Sequence, residues 1–178
     1  YLSKMRIISG SHKGRKIHPP KKLPVRPTTD MAKESLFNIL SNKYFFENKS
    51  VLDLFSGTGN ISFEFCSRGI KDVTSVDNNI KCVSYISEQA KEFGFDISTF
   101  QSDCIEYVRG CNRKFNFIFA DPPYQYEDYF KLKELILKKN MIEKDGVLVF
   151  EHDKSISFTE KNIEVRKYGH IHFSIFYF

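Results

Sequence analysis

Four consecutive residues, Asp121-Pro122-Pro123-Tyr124, carry the strongest chemical signal in the chain. Two prolines fix the backbone and remove two N–H donors, which leaves the Asp carboxylate and nearby carbonyls as acceptors aimed at a common point. Such an array binds an amino group. The amine of a nucleobase is a poor nucleophile because its lone pair is delocalised into the ring. Acceptors that hold both N–H bonds favour a pyramidal nitrogen, and Tyr124 can stack on the base. Asp121, Pro122, Pro123 and Tyr124 are therefore the candidate catalytic residues. No strong base is needed, because the nitrogen becomes acidic as it is alkylated and its proton leaves late, to Asp121 or to water.

A second constellation is Asp53-Leu54-Phe55-Ser56-Gly57-Thr58-Gly59-Asn60. Paired glycines directly after an apolar run let the backbone pass close under a ligand, and the helix that follows presents N–H groups. Asp77, eighteen residues after Gly59, closes the next strand-like run, where an acid accepts from both hydroxyls of a ribose. Asp103 closes a third and is placed to accept from an adenine amine. Phe55 in the turn, Asn78 after Asp77 and Cys104 after Asp103 complete the expected cofactor wall with Asp53, Gly57 and Gly59. The dinucleotide fingerprint wants a third glycine where Ser62 stands, and a phosphate beside Asp53 would be repelled. S-adenosyl-L-methionine carries an ammonium and a sulfonium and no phosphate, so an acidic strand end favours it.

Alternating elements must position these groups. Apolar runs at 51–55, 72–77, 97–101, 115–120 and 146–150 read as strands, and helical patterns follow the first four. Runs at 163–167 and 171–178 read as a terminal strand pair. Upstream, 5–9 and 15–18 read as a short hairpin, and a helix capped by Thr28, Thr29 or Asp30 directs Met31, Leu36, Ile39 and Leu40 inward. The pattern implies an α/β, doubly wound and mostly parallel sheet, whose ligands bind beyond the carboxyl ends of the strands. The suggestive acids all fall there.

Composition limits the alternatives. The 178 residues are 41% hydrophobic and 28% charged, which suits one compact domain. No apolar run approaches bilayer length and no signal-type stretch opens the chain, so the expected location is cytoplasmic, with no membrane partner. Cys66, Cys82, Cys104 and Cys111 have no metal-ligand spacing, so they read as reduced structural thiols and no metal is expected. The net charge is +5, but residues 1–29 hold eight Lys/Arg and no acid, and nineteen bases against twenty-two acids follow. Residues 1–27 thus read as a basic arm, and 28–178 as the domain that holds the cofactor.

These blocks together resemble a family of bacterial methyltransferases that modify the exocyclic N2 of one guanine in 16S ribosomal RNA. The likeness runs through RIISGSHKGRKI (6–17), VRPTTDMAKESLFNIL (25–40), VLDLFSGTGNISFEFCSRG (51–69), Asp77, FNFIFADPPY (115–124) and GVLVFEHD (146–153). The resemblance implies a Rossmann-like class I methyltransferase with a mostly parallel seven-stranded sheet, an antiparallel C-terminal strand, and an N-terminal basic hairpin and helix. It implies that Arg26, Pro27 and Thr28 close over the pocket, and that Lys13, Arg15, Lys16 and Arg26 contact ribosomal RNA or the assembling small subunit. A monomer is the default for a protein with so large a partner. Ser56, Thr58, Asn79 and His170-Ile171 depart from the family pattern, and the last departure withholds any role from the C-terminal hairpin. Three other readings compete. Adenine-N6 methylation of DNA uses the same tetrapeptide but usually adds a recognition domain. Glutamine methylation usually has Asn where Asp121 stands. A non-catalytic RNA-binding module would not need acceptors converging on an amine.

Overall fold

The computed structural model describes residues 5–20, 23 and 28–178; Arg26 and Pro27, expected over the pocket, lie outside them. A two-stranded hairpin, β1 (Met5–Arg6) and β2 (Lys16–Ile17), precedes α1 (Asp30–Lys43). There follow β3 (Ser50–Leu54), α2 (Asn60–Ser67), β4 (Asp72–Asp77), α3 (Ile80–Phe93), β5 (Ile97–Gln101), α4 (Cys104–Gly110), β6 (Phe115–Ala120), α5 (Tyr129–Lys138), β7 (Ile142–His152), β8 (Ile163–Tyr168) and β9 (Ile171–Tyr177).

The sheet order is β5-β4-β3-β6-β7-β9-β8, parallel from β5 through β7, with β9 antiparallel to both its neighbours. This is the expected α/β, Rossmann-like arrangement. The winding reverses between β3 and β6, whose ends are the glycine turn and the Asp121 tetrapeptide. Such a switch point opens a crevice beyond the strand ends.

Alternation sorts side chains to two faces. Val51, Phe117, Phe119 and Val149 pack with Leu36, Phe37 and Leu40 of α1, whereas Leu52, Ile118, Leu148 and Phe150 pack with Val108 of α4 and Leu132 of α5. Thr29, not Thr28 or Asp30, caps α1 by accepting from the Ala32 amide. The inward face of α1 differs from the expected one. Met31 is 64% exposed, while Lys33 is fully buried beside Ala32, because Glu64 of α2 supplies its counter-charge at 3.3 Å.

Residues 5–17 of the basic arm are anchored on the domain. Met5, Ile7 and Ile17 are buried against Phe63 of α2 and Ile86, Ala90 and Phe93 of α3. Its loop sits on the end of α2. The Ser11 amide donates to the Ser67 carbonyl at 2.7 Å, and a Cβ on Gly10 would fall 1.8 Å from that oxygen. Only glycine fits so close an approach at φ +86°.

Candidate active site

The strand ends of β3, β4 and β6 enclose a cavity of about 400 Å³. Asp53, Phe55, Gly57, Asp77, Asn78, Asp103 and Thr28 line it, and so do all four residues of the Asp121-Pro122-Pro123-Tyr124 tetrapeptide. The two constellations therefore share one chamber. Two expected members do not line it. Gly59 is the left-handed N-cap of α2, and a Cβ there would meet Phe63 at 2.9 Å, so its role is to make the turn. Cys104 is buried in the α4 face of the core, and burial pushes its thiol well above the ordinary range. Cys82 does line the cavity, but burial pushes its thiol up to about 11, so it offers no thiolate at neutral pH.

The turn is also less open to anions than its glycines suggest. The amide of Ser56 donates to the Val76 carbonyl, that of Gly57 to Asp77 Oδ2, and that of Gly59 to the Ser56 carbonyl, at 2.7–3.0 Å. These are the amides that a phosphate would need. Five carboxylates, of Asp53, Asp77, Asp103, Asp121 and Glu151, line the cavity, with no Lys, Arg or His among the described lining residues. A pyrophosphate is thus disfavoured and a cationic ligand favoured. The Tyr126 hydroxyl, buried beside the cavity with no hydrogen-bond partner among the described residues, and the Phe55 ring, whose centroid lies 5.0 Å from that of the Tyr126 ring, supply a polar anchor on an aromatic wall. This donor set fits adenosylmethionine.

Each acid has a distinct setting. Asp77 accepts from the amides of Gly57 and Asn79, both at 2.8 Å, which fixes its carboxylate at the β4 end. Asp103 caps α4 by accepting from the Glu106 amide. Asp53 is buried and accepts from the Ser62 hydroxyl at 2.6 Å, and Ser62 pairs with Ser75 at the same distance. The residue that breaks the dinucleotide fingerprint thus supports the acid instead. Burial raises the Asp53 carboxyl to about 7, against the pull of the Ser62 bonds.

That shift gives a testable sign. A carboxyl raised by folding holds a proton that the unfolded chain releases, so its stabilising contribution is complete near pH 4 and is lost as pH rises to about 7. A cationic ligand favours the ionised form and has the opposite trend. Calorimetric titration with adenosylmethionine between pH 5.5 and 7 is expected to show affinity rising with pH, approaching tenfold per unit at the acid end, and Asp53→Asn should flatten it. A pH-independent wild type would remove Asp53 from the cation's surroundings.

Around the tetrapeptide the proline carbonyls are partly engaged. Pro122 accepts from the Tyr129 hydroxyl at 3.1 Å and Pro123 from the Tyr126 amide at 2.8 Å. These bonds hold the loop rigid, and each carbonyl keeps a second lone pair. Tyr124 is 40% exposed at the cavity mouth, as a stacking platform requires.

The chain matches the family model "Conserved hypothetical protein 95" over residues 5–177. It belongs to that family. A Bacillus subtilis relative called "Putative rRNA methyltransferase YlbH" is 34% identical over 161 residues, covering 88% of this chain and 86% of that protein. "Ribosomal RNA small subunit methyltransferase D" of Buchnera aphidicola subsp. Acyrthosiphon pisum is 31% identical over 157 residues, covering 87% and 81%. A solved structure titled "Putative methyltransferase yhhF from Escherichia coli" superposes with a TM-score of 0.84 at 21% identity, over 98% of this chain and 97% of that one, which shows a shared fold.

In this member of the Conserved hypothetical protein 95 family, several site residues escaped the sequence reading. Glu151 lines the cavity and accepts from the Thr28 hydroxyl at 2.5 Å. The Thr28 carbonyl accepts from Asn60 Nδ2, and Asn60 Oδ1 accepts from Lys33 Nζ at 2.7 Å. Lys33 also donates to the Arg6 carbonyl, while Glu64 takes the amides of Ile8 and Ser9. One buried chain of bonds thus joins the arm to the cavity roof. The only sequence signal was a lysine and a glutamate on otherwise apolar helix faces.

Proposed function

We propose that this protein is an S-adenosylmethionine-dependent ribosomal RNA methyltransferase that modifies the exocyclic N2 of a specific guanine in 16S RNA of the small subunit. The observation that carries this reading is the single cavity lined by five carboxylates and, among the described residues, no cation, with the glycine turn on one side and the amine-accepting tetrapeptide on the other. Relatives named ribosomal RNA methyltransferases support the substrate class.

When bound, the sulfonium cofactor supplies a methyl group already attached to a good leaving group. Asp77 and Asp103 would hold its nucleoside end, and Asp53 would balance its positive charge. Asp121 accepts from the target amine and turns the nitrogen lone pair toward the cofactor side of the cavity, while Tyr124 stacks on the base. Alignment of this kind supplies roughly 7–11 kcal/mol of a barrier. The late proton goes to Asp121 or to water.

The arm meets the RNA backbone. Lys13 and Lys16 are exposed, whereas Arg15 is shared with Glu92 at 3.1 Å and lies over the Phe93 ring, so the lysines carry most of the available charge. Arg26 belongs to the same proposed set. Replacing Lys13, Arg15 and Lys16 together by Ala is expected to weaken RNA binding and to flatten its salt dependence by ~0.7–0.9 in log–log slope for each phosphate no longer neutralised. An unchanged slope would leave the arm a solvated surface.

The deciding experiment incubates the protein with labelled adenosylmethionine and under-methylated small-subunit particles, naked 16S RNA or duplex DNA, followed by nucleoside analysis. Label on N2-methylguanosine is the expected result. Label on N6-methyladenine in DNA, or cofactor binding without transfer to any substrate, would overturn it.

A further inference from the structure

The C-terminal hairpin, to which the sequence assigns no role, turns beside the cavity. β9 runs antiparallel to β7, with His172 opposite His152 and Lys167 opposite His172, so the turn at 169–170 projects from the end of the sheet that carries Asp121 and Glu151. Three strand spacings of about 4.8 Å put Lys167 roughly 14 Å across the sheet from the end of β6. Lys154, two residues beyond β7, is exposed, as are Lys167 and His170, and neither lysine enters an ion pair among the described residues. The nearby acids are engaged elsewhere. Asp153 accepts from the Ser155 amide at 2.8 Å and from its hydroxyl, and Glu164, back toward the start of β8, is taken by Arg166, Lys43 and the Tyr177 hydroxyl. Burial, and then the Lys167 ammonium, lower the pKa of His172 against the pull of Asp153, so the charge of this face belongs to the lysines.

The loop of the basic arm lies at the other end of the molecule. α2 and α3 begin at the cavity and run away from it, and the loop rests on their last residues: the Ser11 amide donates to the Ser67 carbonyl, and Arg15 lies over the Phe93 ring. The 14 residues of α3 span about 21 Å. A polyanion that places one base among five carboxylates needs cations at the rim, and salt limits the reach of a charge to about 8–10 Å. The arm's loop is too distant to supply them. Resting on the reading above, we infer that Lys154 and Lys167, at the ends of β7 and β8, form a second RNA contact that holds the phosphates flanking the target guanine. Tyr168 and His170, at the turn beyond Lys167, are ring types on which unstacked RNA bases pack. The arm then grips RNA far from the reacting base, and the hairpin grips it close by.

The test uses the full protein with naked 16S RNA and with under-methylated small-subunit particles. Lys154→Ala with Lys167→Ala is expected to weaken RNA binding on the order of tenfold at low salt and to lower the log–log salt slope by about 1.4, or ~0.7 for each of two phosphates. Lys154→Arg with Lys167→Arg should keep both near wild type, and calorimetry with adenosylmethionine alone checks that the cavity is intact in each variant. Position is read by a photo-crosslinker on Lys167→Cys, in a Cys111→Ser background because the other three cysteines are buried. It should attach within a few nucleotides of the base that wild type labels, whereas the same group on Lys13→Cys should attach to more distant RNA. An unchanged salt slope in the double alanine variant, or crosslinks from Lys167→Cys to ribosomal protein or to RNA remote from the labelled base, would overturn the inference, while methyl transfer by wild type keeps the parent reading. If wild type transfers no methyl group to either substrate, the parent reading fails and takes this contact with it.

Discussion

Asp121→Ala is expected to slow methyl transfer by about 100- to 1,000-fold while leaving the dissociation constant for adenosylmethionine nearly unchanged. The magnitude is that of removing one preorganised hydrogen-bond partner from the reacting centre, where low dielectric strengthens each contact. The selectivity follows from place. Asp121 directly follows β6, whereas Asp53 and Asp77, the acids proposed to hold the cofactor, lie at the ends of β3 and β4 on the other side of the switch point. Asp121→Asn keeps an acceptor oxygen without the charge and should fall between the two. Single-turnover rates with labelled cofactor measure this directly, with cofactor binding followed by calorimetry. A fully active alanine variant would show that the amine is held by something other than the carboxylate.

The second large effect concerns Glu64, which is not among the residues lining the cavity. Its fully buried carboxylate accepts from the amides of Ile8 and Ser9 and from Arg68 Nε, and it pairs with the buried Lys33. Glu64→Ala strands an ammonium and two arm amides, and breaking a buried pair in this way costs about 3–5 kcal/mol. That is a large part of a typical total stability of roughly 5–15 kcal/mol. Burial already lowers the pKa of Lys33, so the lysine can shed its proton, which holds the loss to the lower part of that range. Urea unfolding should show the fall in midpoint, and limited trypsin digestion should show early cleavage at Lys13 and Arg15 as the arm leaves α2. Adding Lys33→Met to Glu64→Ala removes the stranded charge and should restore part of the stability. A Glu64→Ala protein with an unchanged midpoint and a protected arm would refute the anchoring role.

This buried link gives the arm a consequence beyond its charge. Arg6, Lys33, Asn60 and Thr28 connect the arm's backbone to Glu151 through hydrogen bonds of 2.5–3.1 Å. Arm docking and cavity geometry are therefore parts of one rigid structure. Gly10 serves the same end, since it lets the arm loop lie directly on the Ser67 carbonyl.

The sequence by itself determined the order of strands and helices, the glycine turn and the tetrapeptide, because each is written in contiguous residues: apolar runs, paired glycines, paired prolines. It also placed Asp53, Asp77, Asp103 and Asp121 at strand ends, since a strand's boundary is a local property. Only the tertiary structure decided which polar residues meet across distance. Glu151 meets Thr28 from 123 positions away, and Glu64 meets Ile8 from 56, through contacts that exist only once the residue before α1 reaches the end of β7 and the arm lies on α2 and α3. The same packing turned Met31 outward and Lys33 inward, against the hydrophobic pattern of the helix. A buried charge is read from its partner, and no partner is visible along one strand of sequence.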